Sequence, residues 1–328
     1  MEFSNILVRA TNWVGDAVMC LPALTAIRER FPQARITILA KPWVAGLYER
    51  ETFADEVILY HPRKRRELVR GLRERGFDSA ILLQNALEAA LIAFLARIPT
   101  RIGYNRDARG FLLTHSIPVP RPGDIPRHER FYYLELLRRA GILDRLPESG
   151  LIRLTRPPVK VKRERVVGVS PGAAYGTAKR WLPERFAEAA VRIAGQRNAS
   201  IALFGSSDER GLCEQIAAAL GDHPHRNYAG ETTLAEFIEL AAACEVFLTN
   251  DSGAMHIASA LGVPTVAIFG ATDDVGTGPA GLNARIVREK VDCSPCLLRA
   301  CPIDHRCMTL VTVDRVAQEA LRLLEGSQ

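Results

Sequence analysis

The stretch LTNDSGAMHIASALGVPTVAIFG (Leu248–Gly270) breaks two apolar runs with Asn-Asp-Ser-Gly and restarts on an Ala-rich segment that carries a histidine. Short β-branched runs bounded by polar turns predict buried strands, here EVFLT (245–249) before the break and TVAIF (265–269) after it. Asn250, Asp251 and Ser252 are residue types that cap helices, and Gly253 lets another group approach the backbone closely. The reading is strand, polar turn, short helix, strand. In an open α/β sheet such a turn lies at the carboxyl edge of the strands, where ligands bind.

The same rhythm continues on both sides. VVGVS (166–170), SIALFG (200–205) and LNARIVREKV (282–291) read as further strands, and VDRVAQEALRLLEG (313–326) as an amphipathic helix. In the first half NILVRAT (5–11), RITILA (35–40), EVILY (56–60), SAILL (79–83) and RIGY (101–104) alternate with helical stretches, among them Asp16 to Arg30 and His128 to Ala140. Strands that alternate with helices predict parallel sheets covered on both faces. TRPPVKVKRER (155–165) has two prolines and a charge run with little to bury, and is the expected linker. The expectation is therefore α/β, with two doubly wound domains at 1–156 and 157–328 facing a cleft. The final helix, 313–325, is a candidate to pack back toward the first domain.

At 328 residues the chain exceeds the usual single-domain size, which agrees with two domains. No apolar run approaches the roughly 20 residues of a membrane-spanning helix. MEFSNILVRATNW at the N-terminus lacks the layout of a secretory signal, so a cytoplasmic location is expected. Charge is uneven: residues 1–160 hold 26 Lys/Arg against 17 Asp/Glu, and residues 161–328 hold 17 against 20. The basic half favours an anionic partner, such as a phosphorylated lipid or a membrane surface. The densest run is HPRKRRELVRGLRERG (61–76), a candidate interfacial dock or simply a solvated helix face. Nucleic acid is not expected, since no DNA-reading motif or aromatic platform accompanies the charge.

Phosphate-binding fingerprints are absent or coincidental. Gly276, Gly278 and Gly281 match the spacing of a dinucleotide loop, but they neither directly follow a strand nor open a helix. Instead SPGAAYGTAKRW (170–181) puts a Gly/Ala-rich loop after a strand, then Lys179 and Arg180. Small residues let backbone N–H groups approach an anion, and the cations can neutralise a diphosphate. The Asp251-Ser252-Gly253-Ala254 turn supplies a second helix start, with His256 one turn in as a site residue or a core histidine. In FGSSDERG (204–211), Asp208 or Glu209 could bond a ribose hydroxyl, or the run is an ordinary cap. Gly15-Asp16, after the first strand, offers a carboxylate that either works in chemistry or caps a helix. Cys293, Cys296, Cys301 and Cys307 have spacings that could hold a structural zinc or iron.

Taken together, ATNWVGDAVMCLPAL, IPTRIGY, SPGAAYGTAKRW, FGSSDE, LTNDSGAMHIASALGVPTVAIFGATD and CSPCLLRACPIDHRCM resemble the ADP-heptose:lipopolysaccharide heptosyltransferases, glycosyltransferase family 9, and within it the heptosyltransferase II branch. The resemblance runs from residue 10 to residue 308. It implies a GT-B fold of two Rossmann-like domains, with the acceptor on the first and the nucleotide sugar on the second. It also implies metal-independent inverting transfer of L-glycero-D-manno-heptose from ADP-heptose to heptosyl-Kdo2-lipid A, a phosphorylated acceptor at the cytoplasmic face of the inner membrane. Under that resemblance Asp16 matches the general base, Lys179 the diphosphate contact and Asp208 the acid near the nucleoside. Asp251, Ser252, Gly253 and His256 match the donor motif, with Ala254 inside it and Arg180 beside Lys179. Asn12, Trp13, Arg63, Lys64, Arg65 and Arg66 are candidates for the acceptor. No cofactor is required, and no transmembrane segment is expected. The alternatives are a family 9 transferase with another acceptor or donor, or a non-catalytic module that binds a nucleotide sugar or a metal through its cysteines.

Overall fold

The computed structural model describes residues 2–148, 150–154 and 165–326. The chain divides into two compact units, residues 1–150 and 151–328. Most of the expected linker, 155–164, and the expected boundary at 156/157 lie outside the described residues. Residues just before them already belong to the second unit: Ile152 N donates to Ala280 O (3.0 Å) and Leu154 N to Ala260 O (3.1 Å).

The first unit holds β1 (Asn5–Arg9), β2 (Arg35–Ala40), β3 (Glu56–Leu59), β4 (Ser79–Leu82), β5 (Thr100–Tyr104) and β6 (His115–Ile117) in the order β3-β2-β1-β4-β5-β6. The second holds β7 (Val166–Ser170), β8 (Ser200–Leu203), β9 (His225–Asn227), β10 (Val246–Asn250), β11 (Thr265–Phe269) and β12 (Ala284–Arg288) in the order β12-β11-β10-β7-β8-β9. Every pairing is parallel. Both sheets share one strand order, read in opposite directions. Each reverses its winding once, between β1 and β4 and between β7 and β10, and ligand crevices open at such switch points.

The central strands are buried along nearly their whole length because helices cover both of their faces. All five residues of β10 and of β11 are buried. The last helix, Val313–Glu325, gives Val316, Ala317, Ala320, Leu323 and Leu324 to the core of the second unit. It packs on the helix Pro183–Arg197 and on β10, β11 and β12, so its apolar stripe is spent on its own sheet. The helical stretch expected from Asp16 to Arg30 is two helices, Val14–Met19 and Leu21–Arg30.

Close packing also sets the strand that leads to the Gly/Ala-rich loop. Gly168 on β7 lies opposite Phe247 on β10, and a Cβ at Gly168 would stand 2.5 Å from Phe247 Cδ2 and 2.8 Å from Cys244 Sγ. Neither neighbour can retreat cheaply in a filled core. Gly168→Ala is expected to destabilise the fold by about 1–3 kcal/mol, the usual range for overpacking. A melting curve checks this, and an unchanged midpoint would show that the Phe247 ring moves freely.

Candidate active site

At the switch point of the second sheet, β7 runs out into the loop 171–180 and β10 into Asp251 and Ser252. Asn250, the last residue of β10, is fully buried and joins the two. Its Nδ2 donates to Pro171 O (2.7 Å) and its Oδ1 accepts from Trp181 N (3.0 Å), so one amide holds both ends of the loop. Trp181 locks the far end. It is buried, donates from Nε1 to Val311 O (3.2 Å) and meets Phe186 edge-on at 5.0 Å.

Between those anchors stands the main charged pair. Lys179 Nζ lies 2.5 Å from Asp251 Oδ2, with both side chains largely buried, and Thr272 Oγ1 donates to the same oxygen (2.6 Å). Asp251 therefore aims the lysine and does not cap the helix. Of the three residues expected as caps only Ser252 is one: its Oγ accepts from Met255 N (3.4 Å) at the head of the helix Gly253–Ala260. Gly253 and Ala254 follow in that helix's first turn. Arg180 is half-buried and donates from Nη2 to Ala173 O (3.4 Å). His256 is buried within the same helix.

Of Asp208 and Glu209, Glu209 is the one whose carboxylate reaches the loop. Asp208 is exposed, whereas the Glu209 carboxylate lies so close to Gly172 that a Cβ there would be 2.0 Å from Oε1. Glu209 also closes a capping box with Ser206, accepting from Ser206 N (3.0 Å). The S-x-x-E spacing in SSDE was the available signal, since a capping box turns the fourth residue back toward the loop.

The cysteine segment forms a wall of the same loop. Ala178 N donates to Arg299 O (3.0 Å), Tyr175 OH donates to Leu297 O (2.6 Å), and His305 Nε2 pairs with Ala178 O (2.9 Å). Two cations lie over the Tyr175 ring, Lys179 Nζ at 5.5 Å and Arg299 Cζ at 5.2 Å from its centroid. Cys293 is exposed, Cys296 and Cys301 are half-buried, and Cys307 is buried. Burial, then the neighbouring thiols of Cys293, Cys301 and Cys296, push the Cys307 thiol up. Among the described residues no group of three or more His, Cys, Asp and Glu side chains is close enough to hold a metal ion.

In the first unit, the switch point carries the turn Ala10–Trp13 and the helix Val14–Met19. Trp13 occupies the N-cap position without a side-chain cap bond, so Asp16 is a first-turn residue and not the cap. The turn is braced by Gln84 Oε1, which accepts from Asn12 N (3.1 Å), and by Trp43 Nε1, which donates to Asn12 O (2.8 Å). Gln84 is fixed in turn by Arg109, fully buried, whose guanidinium holds Gln84 O, Asn85 Oδ1 (2.8 Å) and Tyr104 O (3.0 Å). Gly103, from the IPTRIGY run, leaves room for it: a Cβ there would be 3.2 Å from Arg109 Nη2. Burial, and after it the charge of Asp16, raises the carboxyl of Glu129, which makes Glu129 a neighbour of Asp16 that the sequence did not single out. Trp13 is exposed, as are Arg63, Lys64, Arg65 and Arg66. Arg65 pairs with Glu88 (2.5 Å) and Arg75 with Glu56 (2.6 Å), Arg73 donates to Leu95 O (2.7 Å), and Leu72 of the same basic run is buried in the core.

Gly176 tests how tightly the wall holds the loop. A Cβ at this position would stand 2.1 Å from the Arg299 carbonyl oxygen, a backbone atom that cannot rotate away. Gly176→Ala is expected to push the loop off the 297–299 segment and destabilise the fold by about 1–3 kcal/mol, the usual range for overpacking. A melting curve reads the effect, and an unchanged midpoint would show that the wall does not hold the loop.

The family model of Glycosyltransferase family 9 (heptosyltransferase) matches residues 65–306. The lipopolysaccharide heptosyltransferases 2 of Salmonella typhimurium and Escherichia coli K12 are each 34% identical to the chain over 308 residues, covering 87% of it and 88% of their own length. In structure the chain is similar to the E. coli ADP-heptose lipopolysaccharide heptosyltransferase II, with a TM-score of 0.84 and 31% identity across 100% of this chain and 99% of that one. The likeness spans both units, and the fold is GT-B. On its sequence and its fold alike, the chain belongs to glycosyltransferase family 9, the heptosyltransferases.

Proposed function

We propose that this enzyme moves L-glycero-D-manno-heptose, with inversion, from ADP-heptose to heptosyl-Kdo2-lipid A, the inner core of lipopolysaccharide. The observation that carries the reading is the Lys179–Asp251 pair at the switch point of the second sheet, beside the start of the helix Gly253–Ala260. Lys179 keeps ammonium protons for a diphosphate while Asp251 and Thr272 fix its direction. The backbone N–H groups that open the helix face the same anion, and Arg180 adds charge. Glu209 is the better candidate than Asp208 for a ribose hydroxyl.

In the reaction, the acceptor hydroxyl oxygen attacks the anomeric carbon and the bond from that carbon to the phosphate oxygen breaks. The hydroxyl proton goes to Asp16, and the electron pair leaves with ADP. Donors already aimed at the diphosphate stabilise the charge that develops there. No step needs a metal or a dissociable cofactor. The exposed cations Arg63, Lys64, Arg65 and Arg66 suit a phosphorylated acceptor at an anionic membrane surface, the cytoplasmic face of the inner membrane. Among the described residues no helix is long and apolar enough to cross a membrane, and contact there would be peripheral.

Two substitutions test the two halves separately. Lys179→Ala is expected to weaken ADP binding by about 1.5–3 kcal/mol, the worth of a charge-assisted hydrogen bond. Unchanged calorimetric affinity would take Lys179 out of the donor site. Asp16→Asn is expected to cut turnover by about 10²–10⁴-fold while ADP affinity and melting midpoint hold, because a general base contributes that much and the N-cap of its helix is Trp13, not Asp16. ADP release from ADP-heptose with heptosyl-Kdo2-lipid A is the assay. Near-normal turnover in Asp16→Asn would end its role as base, and no transfer by the wild type would end the reading of the acceptor.

A further inference from the structure

The carboxyl edge of the first sheet gathers charge that the proposed reaction does not use. Arg9 ends β1, Lys41 follows β2 and Tyr60 follows β3. Register puts them together: Arg9 pairs with Leu39, two residues before Lys41, and Leu39 pairs with Ile58, two residues before Tyr60. With a side-chain period of two, all three side chains rise from one face of the sheet. That face is covered by the helices Arg65–Glu74 and Leu87–Leu95, and their first turns supply Arg65 and Glu88.

The cations are deeply set and poorly matched. Arg9 is 3% exposed and Lys41 is 7% exposed. Both stack on the Tyr60 ring, Lys41 Nζ at 3.9 Å from its centroid and Arg9 Cζ at 5.1 Å. Arg9 is held by Ala10 O, Leu39 O (3.3 Å) and Asn12 Oδ1 (2.8 Å), all neutral acceptors, and its Nε has no partner among the described residues. The Lys41 ammonium makes no hydrogen bond or ion pair among them, only the ring contacts to Tyr60 and, at 5.6 Å, Trp43. The one nearby carboxylate, Glu88, is taken by Arg65 at 2.5 Å. Burial and then the charge of Arg9 lower the Lys41 pKa, with Glu88 opposing and Arg65 adding. A buried charge is costly unless paired, and two side by side with no anion of their own select for one that arrives with a ligand.

The surroundings indicate which ligand. Asn12, which binds Arg9, is also held by Trp43 and lies four residues before Asp16. We propose that Arg9 and Lys41, stacked on Tyr60, form an anion subsite that takes one phosphoryl or carboxylate group of the acceptor beside the Asn12–Asp16 turn. Binding of the anion stands on the geometry alone, and its assignment to the acceptor rests on the function proposed above. A fixed cation pair at this distance along the chain from Asp16 would set how far the reacting hydroxyl lies from the acceptor's charged group. The subsite is then a positioning device.

Lys41→Met keeps an unbranched side chain only one atom shorter beside Tyr60 but removes the charge, and no hydrogen bond is lost with it. Lys41→Arg restores the charge. With ADP saturating the second unit, inorganic phosphate is titrated by calorimetry against each form. The wild type and Lys41→Arg are expected to bind phosphate alike, and Lys41→Met at least about tenfold more weakly, the worth of one charge-assisted contact. Phosphate binding that is absent in the wild type, or unchanged in Lys41→Met, overturns the subsite. In the transfer assay Lys41→Met should raise the KM for heptosyl-Kdo2-lipid A about tenfold with kcat and the KM for ADP-heptose held. The same comparison on acceptor stripped of its phosphates identifies the group: a vanished gap assigns a phosphoryl, a persistent gap a carboxylate. A wild type that binds phosphate but transfers nothing to this acceptor overturns the proposed function and leaves the subsite standing.

Discussion

The second unit depends on the two hydrogen bonds of a single buried amide, that of Asn250. A loop of ten residues leaving the edge of a parallel sheet would ordinarily be mobile and solvated. Here its first residue and the residue that follows its last are tied to the same side chain, at Pro171 O and Trp181 N. The constraint fixes where Lys179 stands, and β10, which carries Asn250, also delivers Asp251 as its next residue. One strand end therefore closes the loop and aims its cation. Sequence adjacency does this without any long-range coincidence, because β7 and β10 are neighbours in the sheet.

The two switch points solve different electrostatic problems. Lys179 and Asp251 are a nearly neutral pair whose mutual attraction offsets the cost of burying both. Such a pair does not collect anions by net charge; it offers directed protons to a ligand held by neighbouring backbone donors. Across the edge of the first sheet Arg9 and Lys41 share an aromatic ring and have no anion of their own, so the local field stays positive. In the proposed reaction a diphosphate must be bound and then released as a leaving group, whereas an acceptor anion need only be held. A compensated lysine suits the first task and an uncompensated pair the second.

Much of this architecture was legible in the sequence, and what was not has physical causes. The long apolar runs of β1, β2, β7, β10 and β11 are strands because parallel sheets bury both faces, and that signal is strong. HSI of β6 and HRN of β9 are three-residue edge strands, partly exposed and polar, with no pattern to read. Among the site residues, Lys179 and Asp251 were identifiable by type, but not that they bind each other, since the pairing comes from strand order. Asp208 and Glu209 differ by one place, and only the capping box decides which turns inward. In the sequence Arg9 and Lys41 are single charges at the ends of apolar runs. Their meaning appears once register brings them to one face.

The segment 293–307 shows the limit of reading residues by type. Its cysteines suggest a metal, yet the contacts it makes to the site come from backbone carbonyls at Leu297 and Arg299 and from His305. Carbonyls have no residue signature, so the part of this stretch that packs on the loop was not legible beside its thiols. Its role follows from what the loop otherwise lacks. The Gly/Ala-rich sequence that allows backbone N–H groups near a phosphate gives the loop almost no side chains with which to hold itself. Order must come from outside, and it comes from three sides: Asn250 at the ends, Glu209 against Gly172, and the 297–305 wall against Gly176 and Ala178. Each immobilised residue left free would charge a binding event about 1–2 kcal/mol of backbone entropy. Fixing the loop in the folded state moves that cost from ligand binding to folding, where a large core absorbs it.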